Sequence, residues 1–243
     1  MRSSQSVGVV IPALNEEAAI PKVIAAIPDW VDRIIVADNG STDDTRARAE
    51  TMGATVVREP LRGYGAACLA GLAALGPVDI VVFLDGDFSD DPSEMARLVD
   101  PIASGRADFV LGSRVNAQAM PGSLTFPQRF GNALACGLMR RLFGVTYSDL
   151  GPFRAIRAHA LEALDMRDRA YGWTVEMQIK AARAGLVIEE IPVSYRPRIG
   201  TSKISGTVRG SVMAGVTILS VIARSVCHAR RATLAKASAT EAD

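Results

Sequence analysis

Asp85 and Asp87 flank a single glycine directly after an unbroken apolar run, Ile80-Val81-Val82-Phe83-Leu84. A run this short and β-branched reads as a buried strand, and two carboxylates where it leaves the sheet can hold a hard divalent cation. A cation held there needs an anionic substrate, most naturally a diphosphate. The alternative for so short a pattern is that Asp85 caps the next turn and Asp87 is solvated.

Other polar clusters stand at comparable places. An apolar stretch from Val7 ends in Pro12-Ala13-Leu14-Asn15-Glu16, and Ile34–Ala37 ends in Asp38-Asn39-Gly40-Ser41-Thr42-Asp43. Ser41 or Thr42 can cap a following helix, which leaves Asp38 free to accept hydrogen bonds from a nucleobase or ribose. Gly63-Tyr64-Gly65 precedes a helical pattern, with Asp85 about twenty residues further on. A dinucleotide fingerprint is disfavoured there, because Cys68 replaces its last small residue and Glu59–Arg62 separates the glycines from the preceding strand. The glycines suit close approach of backbone to a bound nucleotide. Near the far end, Arg196, Arg198 and Lys203 surround Gly200, a set able to enclose phosphate oxygens or to form a solvated basic loop.

The elements that must position these residues follow from periodicity. Apolar segments at Val7–Ile11, Ile34–Ala37, Thr55–Val57, Ile80–Leu84 and Phe109–Leu111 alternate with helical stretches at Val23–Ile27, Asp43–Met52, Ala66–Leu75 and Pro92–Ile102. Strands alternating with helices predict an α/β fold, a mostly parallel sheet with helices on both faces, whose ligands collect at the carboxyl ends of the strands. Beyond Gly112 the alternation breaks down. Helices are expected over Phe126–Phe143 and about Thr174–Ala184, with a last strand at Val187–Ile191. Glu176 falls in a first helical turn, where the helix dipole alone favours a carboxylate.

Composition narrows the class. With 243 residues, 49% hydrophobic and 22% charged, the chain can bury a full core, and a net charge of +1 argues against a nucleic-acid binder. Cys68, Cys136 and Cys227 lack metal or disulfide spacing and are expected to be reduced and buried. The first apolar stretch is broken by Pro12 and is no signal peptide, so a cytoplasmic location is expected. From Tyr195 onward eight basic residues face two acidic ones, and Gly210–Ala223 carries no charge. That stretch is shorter than the roughly 18–20 residues that span a bilayer. It suits either peripheral attachment to an anionic membrane or packing on the protein, at its own core or at a homodimer interface.

Taken together, Ile11–Glu16, Asp38–Asp43, Gly63-Tyr64-Gly65, Asp85-Gly86-Asp87, Gly112-Ser113-Arg114 and Gly200-Thr201-Ser202-Lys203 resemble family 2 glycosyltransferases, above all the dolichyl- or polyprenyl-phosphate sugar synthases. The resemblance runs from Val7 to Lys203 in unbroken motif order. It implies a GT-A fold, with a nucleotide-binding half at about 1–115, an acceptor half at about 116–203, and a basic, partly apolar helix and tail over 204–243. By resemblance, Pro12, Ala13, Asn15, Glu16 and Asp38 meet base and ribose, and Gly63 and Gly86 border the nucleotide. Asp85 faces ribose or sugar, and Asp85 and Asp87 serve the metal, Mg2+ or Mn2+. Arg114, Arg129, Arg198 and Lys203 look placed for donor or acceptor phosphates, and Asp149 and Glu176 shape the sugar and acceptor site.

The sequence also departs from the family pattern. Ser89 stands where many synthases carry a Gln or His metal ligand, and Gly151-Pro152-Phe153-Arg154 replaces their S-G-F-R. The implied activity is inverting, metal-dependent transfer of a hexose from a UDP- or GDP-sugar to polyprenyl phosphate. A soluble hydroxyl acceptor would instead require Asp149 or Glu176 as base. A nucleotide-sugar-binding partner protein without turnover is the reading from another class.

Overall fold

The computed structural model describes residues 5–115, 120, 124–200 and 215–225. Its centre is a seven-stranded sheet. Strands β1 (Val7–Ala13), β2 (Arg33–Asp38), β3 (Thr55–Arg58) and β4 (Ile80–Phe83) are separated by helices α1 (Ile20–Ala26), α2 (Thr45–Thr51) and α3 (Tyr64–Leu75). A 3-10 turn, Pro92–Glu94, leads into α4 (Met95–Ala103), followed by β5 (Phe109–Ser113), α5 (Phe126–Phe143), β6 (Arg154–Arg157), α6 (Ala158–Leu164), α7 (Trp173–Arg183) and β7 (Ile188–Pro192). The expected strands and helices are present within a few residues of their predicted ends. The sequence reading missed β6 and α6.

The strand order is β3-β2-β1-β4-β6-β5-β7. Neighbours run parallel except at β6, which is antiparallel to both β4 and β5. All seven residues of β1 and all four of β4 are buried, as a strand covered on both faces requires. Along β1 the side chains alternate between two cores: Val10 joins the layer containing Leu75 of α3 and Met177 of α7. Val9 and Ile11 join the opposite layer, with Ile20 and Val23 of α1 and Leu98 of α4. Phe83 meets Trp173 edge-on at 5.9 Å, which pins α7 over the strand that delivers Asp85.

Helix ends follow their local chemistry. Thr125 and Gln128 form a reciprocal capping box at the start of α5, and Gly144 ends it in the left-handed conformation. Residues 215–225 are helical. Their Val221 and Ile222 belong to the core while Val216 and Leu219 are exposed, so one side of the stretch expected at a membrane or on protein is committed to the protein's own interior. Among the described residues no helix is long and apolar enough to cross a membrane.

Candidate active site

The register of the parallel strands brings the polar loops to one edge. Ala13 at the end of β1 pairs with Asp38 at the end of β2, and Gly86 packs against Ala13 and Ile11. The first two loops are laced together. Asn15 N–H donates to Ser41 Oγ at 2.9 Å, Thr42 N–H donates to Asn15 Oδ1 at 2.8 Å, and Glu16 N–H donates to Thr45 Oγ1 at 2.7 Å. Ser41 and Thr42 therefore do not cap α2. Asp38 is buried and its Oδ1 accepts the Ser41 N–H at 2.8 Å, so its carboxylate is partly spent on its own turn, contrary to the expectation that it is free.

A cleft opens at this edge. Pro12, Ala13 and Glu16 line it from the end of β1, Gly63 and Tyr64 from the start of α3, and Asp85, Gly86 and Asp87 from the end of β4. Asn39, Tyr171 and Arg198 stand in the walls, with Leu14, Arg62 and Ala67 beside them. Neither Asn39 nor Tyr171 was singled out from sequence. Asn39 accepts from Gly63 N–H at 2.8 Å and donates to Leu61 O at 2.7 Å, fixing the approach to α3.

The glycines there also meet a requirement within the chain itself. A Cβ at Gly63 would lie 2.0 Å from Arg169 O, and one at Gly65 would lie 2.0 Å from Asp168 O. Gly65 N–H and Ala66 N–H donate to the carbonyls of Ala170 and Arg169, each at 3.0 Å. The close approach is made by the protein's own 168–170 backbone, which also occupies donors at the helix start. Gly63 nevertheless borders the cleft.

Asp87 is buried between two partners. Its Oδ1 accepts from Ser89 N–H at 2.9 Å and Ser89 Oγ at 2.6 Å, and its Oδ2 pairs with Arg198 at 2.8 Å. Ser89 is thus turned toward Asp87. The backbone continues the contact: Ile199 N–H donates to Asp87 O at 3.0 Å and Arg196 N–H to Ser89 O at 2.9 Å.

Asp85 Oδ1 is buried with no hydrogen-bond partner. Burial, then the neighbouring Asp87 charge, pushes the Asp85 carboxyl up to about 6, against the pull of Arg198 and Arg114. Beneath the loop Asp90 is buried with both carboxyl oxygens unpartnered, and burial followed by the Asp85 charge holds it well above the usual range.

Carboxylate oxygen is the donor that Mg2+ and Mn2+ prefer, and the unpartnered Asp85 oxygen beside Asp87 fits such an ion. Among the described residues no group of three His, Cys, Asp or Glu side chains is assembled for a metal. Phosphate and water would have to supply the remaining ligands, as Mg2+ commonly arranges.

The other expected site residues lie elsewhere. Arg114 binds Asp149 through its backbone N–H at 2.7 Å and through Nε and Nη2 at 2.8 and 2.9 Å. Its guanidinium also stands 5.0 Å from the Tyr195 ring centre. Burial works to raise Asp149, but Arg114 overcomes it and leaves the carboxyl below the usual range. Glu176 accepts from the N–H groups of Arg167 and Asp168, the latter at 2.7 Å, and pairs with Lys180 at 2.8 Å. Arg129 is exposed on α5. None of these four lines the cleft, and neither do Asn15 and Asp38, which are held by the loop at Ser41 and Thr42. Lys203 lies outside the described residues.

Arg154 of the Gly-Pro-Phe-Arg segment is buried, donating to the carbonyls of Gly151 and Thr174, and burial brings its guanidinium down to about 10. Cys68 and Cys136 are free and buried, as expected.

Comparison with known proteins agrees with this architecture. The profile of "Glycosyl transferase family 2" matches residues 8–165. An uncharacterized glycosyltransferase of Mycobacterium tuberculosis is 40% identical over 222 residues, covering 90% of this chain and 99% of its own length. The undecaprenyl-phosphate mannosyltransferase of Micrococcus luteus is 30% identical, covering 88% of this chain and 94% of its own length. Among solved structures, glucosyl-3-phosphoglycerate synthase of Mycobacterium tuberculosis, in complex with Mn2+, UDP-glucose and phosphoglyceric acid, superposes with a TM-score of 0.72 at 30% identity. That match covers 91% of this chain and 81% of the other. A GT-A sheet, a cleft at its carboxyl edge and relatives of this kind converge: the chain is a glycosyltransferase and belongs to family 2.

Proposed function

We propose that the protein transfers a hexose, with inversion, from a UDP- or GDP-sugar to a polyprenyl phosphate. The observation that carries the acceptor is the state of the two candidate bases. Asp149 is taken up by Arg114, and Glu176 by two backbone N–H groups and Lys180. A hydroxyl acceptor needs such a base. A phosphate acceptor, already anionic at neutral pH, does not. The mannosyltransferase relative, whose name specifies undecaprenyl phosphate, supports the same choice.

In this reading Pro12, Ala13, Asn15, Glu16, Asp38 and Gly63 serve the nucleoside, with Asn39, Tyr64 and Tyr171 closing the cleft around it. Asp85 and Asp87 would hold Mg2+ or Mn2+, which would supply neutralisation of charge on the departing diphosphate. Arg198 adds fixed positive charge at the same oxygens, with Lys203 as a second cation. An acceptor phosphate oxygen forms the new bond to the anomeric carbon as the bond from that carbon to the diphosphate oxygen breaks on the opposite face. Arg114 and Arg129 stand toward the acceptor side.

A panel of UDP- and GDP-sugars, read by thermal shift with and without Mn2+ and followed by product analysis with polyprenyl phosphate, tests the proposal. A metal-dependent shift with one donor and a sugar-phosphate-lipid product are expected. Turnover only onto a soluble hydroxyl would overturn the acceptor. That second reading draws on the phosphoglyceric acid held by the synthase of similar fold.

A further inference from the structure

We propose that the outer face of α5 is a docking surface for an anionic lipid bilayer. The proposal deepens the reading of a lipid acceptor and rests on it for its purpose, though its test does not need catalysis.

Ala135, Cys136 and Met139 commit one side of α5 to the core. The opposite side should be polar in a helix that merely covers a sheet. Here it carries Phe126 at 81% exposure, Phe130 at 62% and Leu134 at 45%, one above the other at four-residue spacing. Exposed Ala133 and Gly137 fill the same sector. An apolar row led by two exposed phenylalanines marks an interaction surface.

Charge identifies the occupant. The only charged side chains of α5 are Arg129, Arg140 and Arg141, all exposed; by helical spacing Arg129 and Arg140 flank the apolar row on one side and Arg141 continues it at its far end. A two-fold contact between copies of this face would set arginines against arginines with no acid on the helix to offset them. An anionic headgroup layer supplies the missing countercharge while the rings enter the acyl boundary.

Placement agrees. Strand β5 ends with Ser113 at the carboxyl edge of the sheet, and α5 is the next element of the chain. Asn132 holds α5 to the loop before β6, donating to Ser148 O and accepting from Leu150 N–H, each at 2.9 Å. That contact holds the middle of α5 beside the loop entering β6, on the edge that bears Asp85, Asp87 and Arg198, so a bilayer on the outer face of α5 lies on the cleft's side of the sheet.

The test is sedimentation of the intact chain with vesicles of phosphatidylglycerol and phosphatidylcholine, and with vesicles of phosphatidylcholine alone. Binding to the anionic vesicles at low salt, weakening as salt rises, is expected. Phe126→Ser combined with Phe130→Ser should reduce it by about tenfold or more. Arg140→Gln and Arg141→Gln should each reduce it about fivefold on anionic vesicles only. Melting temperature and the thermal shift with nucleotide sugar should not change in these variants. No vesicle binding by the intact chain, or full binding by the phenylalanine variant, would overturn the proposal. So would a dimer that the phenylalanine variant splits while neither form binds vesicles, which would assign the face to a second copy. A lost nucleotide-sugar shift with vesicle binding intact would instead fail the donor reading and leave the docking surface standing.

Discussion

Asp87 Oδ2 and an Arg198 guanidinium nitrogen lie 2.8 Å apart, so one of the two carboxylates proposed to hold a cation is already neutralised by the chain itself. Any cation that joins Asp87 must share it with Arg198 or displace it. Calorimetric titration with Mn2+ in the absence of donor should therefore show tighter binding to Arg198→Ala than to the natural protein. The same variant should turn over more slowly, because the diphosphate loses a fixed positive charge. Weaker Mn2+ binding by Arg198→Ala would remove the competition between them.

Asp87→Asn should retain the fold, since the amide oxygen can still accept from Ser89, at a cost of about 1–3 kcal/mol for the unpaired arginine. Turnover of nucleotide sugar should fall by about a hundredfold or more. A variant that melts normally and works at close to the natural rate at saturating metal would take Asp87 out of the site.

Asp149 offers a pH test. Its folded pKa is depressed by Arg114, so the pair's stabilisation is present in full above the unfolded value of about 3.9 and is lost as pH falls through the lower folded value. Asp149→Asn should lose about 3 kcal/mol at neutral pH and show a shallower further loss on acidification. Parallel melting curves for the two proteins from neutral pH down to strongly acid conditions would contradict a stabilising pair.

Glu176→Gln separates structure from catalysis. The carboxylate holds the 167–168 turn, which leads to Tyr171 in the cleft wall. The variant should melt lower by about 1–3 kcal/mol and raise the donor KM, leaving the pH dependence of kcat unchanged. A fall in kcat of about a hundredfold or more, with loss of one limb of the pH profile, would identify Glu176 as a base.

Two glycines should respond with opposite sign. Gly65→Ala drives a methyl into Asp168 O and should cost about 3 kcal/mol or more by chemical denaturation. Gly131→Ala, in the middle of α5 with nothing within 4 Å, should stabilise by roughly 0.5–1 kcal/mol.

The parts of the molecule legible in the sequence are those governed by local pattern. The buried runs at Val7, Ile34 and Ile80 name their strands because both faces of the sheet are covered, and the convergence of their polar ends follows from parallel pairing. The helix over Phe126–Phe143 is readable to the residue, since Thr125 and Gly144 punctuate it. Strand β6 was not legible: four residues bounded by Arg154 and Arg157 look like a surface segment, yet Arg154 is buried on carbonyls supplied by Gly151 and Thr174. The same limit applies to Asp149 and Glu176. Their partners are fixed by tertiary contacts, so neither the Arg114 pairing of Asp149 nor the 167–168 backbone at Glu176 could be read from sequence.

Strand β6 enters the sheet between β4 and β5, antiparallel to both. The segment that carries the loops after β1, β2 and β4 therefore does not own a complete sheet. A chain ending near residue 115 would leave the flank of β4 unpaired and β5 detached from it, an open edge of the kind that seeds aggregation. The stretches before and after residue 115 are consequently not exchangeable modules. If the proposed division of donor and acceptor holds, a different acceptor would be accommodated by rewriting the loops around α5 and β6, whereas swapping the whole second half would dismantle the sheet that carries Asp85 and Asp87.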